Sequence, residues 1–341
     1  MTRPSSRKGR ARIADIAQRA GVSTTAVSFV LNDRPGVGEE KRAQILRACE
    51  ELNYRPSAIA KGLRRGTVPM LGLLLGDAER LASIETIRGV INEARSRGQQ
   101  ALVSFASGGA GGLREDVGVF IAYQCAGLLV TTAVESDRAA LEELVDAGLC
   151  FVLVIREVPG LSADFVGVDD RWGGRVIARH VLSHGHRRVG VLSGPHVSSS
   201  SRGRFDGCME VLREAGLPEG DVALVESGLT MAGGRQAAAG LIESHAPSVI
   251  ICLSDDLALG AIDAVMDAGL RVPEDVAITG YDDIAAAGSR RIRLTTVHVP
   301  RSEIGAKAVE LLGERIVAPG RDAVRVLLEQ QLVVRGTCGC V

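Results

Sequence analysis

Residues 13–32 read IADIAQRAGVSTTAVSFVLN, and the spacing of the apolar residues there decides how the N-terminal region folds. Ile13, Ile16, Ala17 and Ala20 fall at i, i+3, i+4 and i+7, one face of a short helix. Gly21 breaks that helix. Ser23 is placed to cap a second one, because its hydroxyl can accept an orphan backbone N–H. Val22 and Val27 stand at hydrophobic-staple spacing around the cap. Val27, Val30 and Leu31 turn inward, and the breaker cluster Asn32-Asp33-Arg34-Pro35-Gly36 ends the second helix. Ile45, Ala48, Cys49 and Leu52 repeat the helical face for a third. Two short helices joined by a tight glycine turn, with a third in support, describe a helix-turn-helix. Three helices of this size also occur in proteins that never touch nucleic acid, so the pattern alone leaves both readings open.

Charge favours nucleic acid. The 341-residue chain has a formal net charge of -1, but residues 1–68 hold 14 Lys+Arg against 6 Asp+Glu, a net of +8. The rest holds 26 basic and 35 acidic residues, a net of -9. A basic head on an acidic body points to nucleic acid at one end. A basic tail that only aids solubility is the bland alternative. Length suits two or three folded units. No apolar run reaches the roughly 18 residues a membrane span needs, and the polar, basic N-terminus does not read as a secretory signal. Seven scattered cysteines fit reduced thiols. The expectation is a cytoplasmic protein with no membrane partner.

Residues 13–32 resemble the N-terminal signature of the lactose/galactose repressor family of bacterial transcription regulators. Residues 54–63, YRPSAIAKGL, resemble that family's hinge. The resemblance implies that the second helix enters the major groove of double-stranded operator DNA. Thr24, Thr25 and Phe29 match base-reading positions; threonine hydrogen-bonds base edges, and Thr or Phe packs on a thymine methyl. Ser23, Ser28 and Asn32 match phosphate-contacting positions, which set register. Pro56 opens the hinge helix, in which Ser57, Ala60 and Lys61 lie against DNA and Leu63 wedges into the minor groove. Ala26 departs from the family's usual threonine, and Gly38 from its usual cap. The implied organisation is a basic arm over 1–10, the helix-turn-helix over 11–55, a hinge helix and linker over 56–68, and a two-lobed effector-binding and dimerisation domain over 69–341.

The body supports this. Apolar strand candidates at 71–75, 101–105, 126–131, 150–155, 188–192, 223–227, 249–253 and 276–281 alternate with helical stretches such as 83–98, 138–147 and 174–183. That alternation predicts α/β architecture, with doubly wound parallel sheets covered on both faces. About 270 residues of it exceed one standard sheet, so two lobes are expected. GVDD (167–170), LSHGHRRV (182–189), SDDLALG (254–260), VPEDV (272–276), GYDD (280–283), LTTV (294–297) and LVVRG (332–336) look like family motifs. The fold they imply resembles periplasmic sugar-binding proteins, closing over a cleft at the strand ends.

Within that cleft Arg204 and Asp282 match the family's ligand-binding arginine and aspartate, and Ser200 and Ser254 are weaker candidates. A planar guanidinium suits hydroxyls or anions. The alternative is that the two residues pair with each other or cap helices. Ile155 replaces a common aspartate and Leu229 a common aromatic. With aromatics at only 3%, a plain sugar stacked on a ring is less secure, and a sugar derivative is the broader expectation. Asp77, Glu79 and Arg80 are read either as a charged-effector contact or as solvated loop. Residues 198–202, SSSSR, are read either as a phosphate site of hydroxyls and a cation or, more simply, as a flexible loop at the cleft mouth.

His180, His184 and His186 have metal-compatible spacing, but His186 precedes a strand and the three need not converge. Cys338 and Cys340 read as a mobile tail without nearby ligands. No metal, cofactor, dinucleotide fingerprint, P-loop or catalytic triad is expected. The competing classes are an exported solute-binding protein and an enzyme of similar fold; an activator or dual regulator is the rival within regulation. The expected assembly is a homodimer on a palindromic operator, controlled by a small-molecule effector.

Overall fold

A computed structural model describes residues 11–31, 34–54, 70–76, 80–107 and 112–339. The chain divides into two compact units, residues 1–68 and 69–341. The first holds α1 (Ile13–Ala20), α2 (Thr24–Leu31) and α3 (Glu39–Glu51). Their shared core is Ile16, Ala17, Val27, Val30, Ile45, Ala48 and Cys49, the positions that the helical spacing turns inward. Gly21 ends α1 in the left-handed conformation, φ +63°, where a side chain is unfavourable. Ser23 caps α2, its Oγ accepting from the Ala26 N–H at 3.2 Å. Gly38 precedes α3 with no side-chain cap. Glu39 and Glu40 instead favour that end of the helix dipole.

The second unit alternates strands and helices in two lobes. Lobe one begins with β1 (Met70–Leu75), α4 (Ala82–Ser96), β2 (Gln100–Phe105), α5 (Gly112–Ala122), β3 (Leu128–Val130), α6 (Arg138–Asp146), β4 (Phe151–Val154) and β5 (Asp164–Val168). The chain crosses to lobe two for α7 (Asp170–Ser183), β6 (Val189–Ser193), α8 (Ser199–Glu214), β7 (Val222–Glu226), α9 (Met231–His245), β8 (Val249–Cys252), α10 (Asp255–Asp267), β9 (Ala277–Thr279) and β10 (Thr296–His298). It returns for α11 (Arg301–Val317) and β11 (Arg325–Leu328), then crosses a third time to β12 (Gln331–Val333), which pairs antiparallel with β10.

Lobe one is a parallel sheet in the order β11-β5-β4-β3-β1-β2, and lobe two one in the order β7-β6-β8-β9. In each sheet the chain reverses direction beside the first strand laid down, β1 or β6, so the loops leaving the strand ends diverge and open a crevice. The strands are buried on both faces: β3, β4, β5, β6 and β8 have every residue buried. Hence they read as continuous apolar runs rather than alternating ones.

Three helix pairs share one packing device. A Cβ on Gly174 of α7 would lie 2.0 Å from the Arg204 carbonyl oxygen of α8, and one on Gly207 of α8 would lie 2.0 Å from the Arg171 carbonyl oxygen of α7. Gly234 of α9 meets the Leu257 carbonyl at 2.3 Å, and Gly260 of α10 meets Met231 at 2.0 Å. Gly89 of α4 meets Ser302 at 1.9 Å, and Gly305 of α11 meets Thr86 at 2.5 Å. Each pair is keyed in both directions, backbone against backbone, at separations no side chain permits.

Candidate functional site

The cleft lies where the carboxyl ends of the strands meet. Arg204, on the first turns of α8, is buried at its centre. Its Nε donates to Asp170 Oδ1 at 2.8 Å, its Nη1 donates to the Leu253 carbonyl at 3.0 Å, and Nη1 stands 3.3 Å from Asp282 Oδ1. The guanidinium lies 3.9 Å over the Tyr281 ring. Asp170 opens α7, and Asp282 follows β9 with φ +116°. That backbone is strained for a residue with a side chain. It is held by Asp282 N–H donating to the Val297 carbonyl at 2.9 Å.

Three further arginines converge. Arg301, the first residue of α11, donates from Nη2 to Asp282 Oδ1 at 2.6 Å. Arg80, after β1, places Nη2 3.6 Å from Asp282 Oδ2 with its side chain 15% exposed. Arg156, after β4, is half-buried and donates to the Thr132 carbonyl at 3.3 Å. Arg80 is therefore no solvated loop residue; Asp77 and Glu79 lie outside the described residues. The charges respond to one another. Burial opposes ionisation of Asp282, but Arg301, Arg204 and Arg80 outweigh it and hold its carboxyl below the ordinary range. Burial pushes Asp256 up to about 6, with the Asp282 charge adding to it. Burial and Asp282 likewise raise Asp255 to about 7, although Thr296 Oγ1 and the Ile284 N–H donate to it. Burial brings Arg80 down to about 10.

Several polar atoms here are buried with no hydrogen-bond partner among the described residues: Arg80 Nε, Arg301 Nε, Asp282 Oδ2, Asp256 Oδ2 and Ser254 Oγ. Two cavities flank the cluster. One, of about 340 Å³, is lined by Asp282, His298, Arg301 and Glu85. The other, of about 130 Å³, is lined by Ile155, Asp170, Ser199 and Ser200. Residues 198–202 are not a flexible loop: Ser198 precedes α8, and Ser198, Ser200 and Ser201 are buried on its opening turn. Ser200 Oγ lies 3.0 Å from Ser198 Oγ. Ser254 precedes α10 without capping it.

On the first unit, Ser23, Thr24 and Thr25 are exposed at the start of α2, while Ser28 and Phe29 are half-buried. Phe29 is less open than its position off the apolar face suggests, because its ring edge lies 3.6 Å from where a Gly36 Cβ would stand. Asn32, Ser57, Ala60, Lys61 and Leu63, the arm over 1–10 and the hinge over 56–68 lie outside the described residues.

The model of bacterial regulatory proteins of the lacI family matches residues 12–57, and that of the periplasmic binding protein-like domain matches 178–338. The HTH-type transcriptional repressor PurR of Proteus mirabilis is 32% identical over 95% of this chain and 96% of its own. The ribose operon repressor of Haemophilus influenzae is 31% identical over 95% and 98%. The chain belongs to the lacI family of bacterial regulatory proteins. Among solved structures, the Lac repressor dimer bound to operator and the anti-inducer ONPF has a TM-score of 0.85 at 25% identity, over 97% of this regulator and 99% of that chain. A CelR–cellobiose complex has a TM-score of 0.71 at 27% identity, over 96% and 100%. The regulator therefore combines a DNA-binding helix-turn-helix with a two-lobed α/β body, and its relatives repress transcription. No described helix is long and apolar enough to cross a membrane.

Of the cleft residues matched by resemblance, the structure brings Arg204 and Asp282 together and sets Ser254 and Ser200 at helix starts beside them. Sequence reading missed Asp170, Arg156, Arg301 and Tyr281 as members of the cluster. Asp170 and Tyr281 sat inside quoted motifs, so their signal was present. Arg156 and Arg301 carried none beyond following a strand.

Proposed function

We propose that the protein is a cytoplasmic, non-enzymatic repressor that binds a palindromic operator as a homodimer, and that a hydroxylated anion in the cleft sets its grip on DNA. The dimer and operator follow from the Lac repressor relative, which is a dimer bound to operator. Thr24, Thr25 and Phe29 read bases, Ser23 and Ser28 hold phosphates with Asn32, and Ser57, Ala60, Lys61 and Leu63 engage the minor groove. Arg204 and Asp282, with Ser200 and Ser254, hold the effector.

The effector class rests on the unanswered atoms. Arg80 Nε and Arg301 Nε need an acceptor; Asp282 Oδ2 and Asp256 Oδ2 need a donor. Four guanidinium groups face three carboxylates, Asp170, Asp256 and Asp282, one of which keeps its proton up to about pH 6. Leaving such groups unpaired in a buried site is costly. A carboxylate or phosphate answers the arginines, and neighbouring hydroxyls donate to the aspartates. The starts of α8 and α10 add positive dipole ends. Cellobiose and ribose are bound by relatives, but a neutral sugar alone brings no charge to meet the arginines.

The test is selection of random duplexes by the full-length protein at stated salt, then operator titration with matched neutral, carboxylated and phosphorylated sugars. A palindrome whose affinity shifts with the anionic compounds supports the reading. A shift with the neutral sugar alone overturns the effector class, and recovery of no duplex under any condition overturns the regulator.

A further inference from the structure

The second lobe carries a cluster that plays no part in the cleft. His180 and His184, four residues apart, close α7, with ring centroids 4.8 Å apart and planes at 70°. Cys338 arrives from the other end of the chain. Its thiol is 2% exposed and in no disulfide, which corrects the expectation of a mobile tail. The segment is pinned: Ile278 N–H donates to the Thr337 carbonyl at 2.8 Å, Thr295 N–H to Thr337 Oγ1 at 3.0 Å, and Thr295 Oγ1 to Cys338 Sγ at 3.1 Å. The candidate donor atoms of His180, His184 and Cys338 all lie within 4.8 Å of one another. His186 is not among them; its Nδ1 lies 3.0 Å from Ser248 Oγ.

We propose that His180, His184 and Cys338 bind a zinc-class transition metal ion. Two imidazoles and a thiolate form a borderline-soft donor set that suits zinc and does not suit calcium or magnesium. Bond lengths of about 2.0–2.3 Å to a central ion require modest closure of the three donors. The histidines are side chains on a helix end, and that closure needs only their torsions. On binding, the thiol gives its proton to solvent, both imidazoles bind as neutral rings, and a water fills the fourth position. Exposed His184 provides the way in. The Thr295 hydroxyl, donating to sulfur, orients the thiolate from the outer shell. Asp170 begins the same helix, 10 residues before His180, so the metal lies roughly 15 Å along the axis from the cleft. Its occupancy is thus separable from effector binding.

The experiment is a titration of the chelator-stripped, reduced full-length protein with Co(II), followed by Zn(II). One equivalent per chain is expected to give a near-ultraviolet thiolate-to-cobalt charge-transfer band and visible bands of tetrahedral intensity, both removed by Zn(II). His184→Ala, at an exposed position, should weaken Co(II) binding at least about tenfold and remove the rise in Tm that Zn(II) gives. Cys338→Ser should remove the charge-transfer band, while Cys340→Ser should keep it. Absence of that band, or its survival in Cys338→Ser, overturns the site. Should Cys338→Ser not fold, an unchanged Co(II) affinity in His184→Ala overturns it equally.

Discussion

Arg204 lies in the cleft and pairs there with Asp170 and Asp282, the pairing that the sequence left open beside ligand contact. Arg204→Ala therefore tests folding more than binding. It takes from buried Asp170 its arginine partner, while Asp282 keeps Arg301, and removing one partner of such a buried pair costs about 3–5 kcal/mol; a clear fall in Tm is expected. Arg156→Gln and Arg80→Gln are the sharper probes, because neither residue makes a close carboxylate contact within 3.5 Å among the described residues. They should abolish the response to an anionic effector in calorimetry and leave Tm nearly unchanged. Asp256 tests the electrostatics. Its folded value of about 6 lies above the ordinary carboxylate value, so the native state binds the proton more tightly and stability falls as pH rises from about 4 to about 6. Asp256→Asn should stabilise the protein at pH 8 by about 1–3 kcal/mol, with the gain shrinking below pH 6, as chemical denaturation at both values would show. Asp282 was legible because it sits in the GYDD motif, and Arg204 because it matches a family position. Arg156 and Arg301 were not, because nothing local distinguishes an arginine that folding carries inward from one left in water.

At the level of elements, periodicity located the three helices of the head and most strands of the body. It missed β5, β10, β11 and β12. The last three have three or four residues each, and β5 opens on Asp164, a buried carboxylate held by Arg315 and Arg321, which leaves only Phe165–Val168 as an apolar run. Nor did the sequence disclose the keyed helix pairs, since a glycine in a helix reads only as a weak helix former. The same substitution should act with opposite signs at a keyed helical glycine and at an unkeyed one. Gly174→Ala drives a methyl group into the Arg204 carbonyl and should destabilise by about 1–3 kcal/mol or more. Gly118→Ala, in α5, meets nothing within 4 Å and should stabilise by about 0.5–1 kcal/mol. Paired thermal melts decide both.

For the whole molecule, charge asymmetry sets how DNA is bound. The net of +8 over residues 1–68 predicts affinity that falls linearly with salt on logarithmic axes, with a slope of roughly 0.9 per phosphate neutralised. Removing residues 1–68 should abolish DNA binding and spare effector binding, both measurable by anisotropy and calorimetry. The reciprocal glycine contacts limit how the body itself can respond. A helix whose backbone is keyed into its partner at two points cannot slide along it, because a slip of one residue, about 1.5 Å, brings a Cβ against a carbonyl. Shear is therefore closed to all three pairs, and each lobe must turn as a plate. Rotation is left to the chain crossings near 168–170, 298–301 and 328–331, so spin labels placed across the cleft should move on effector binding while labels across any one keyed pair stay fixed.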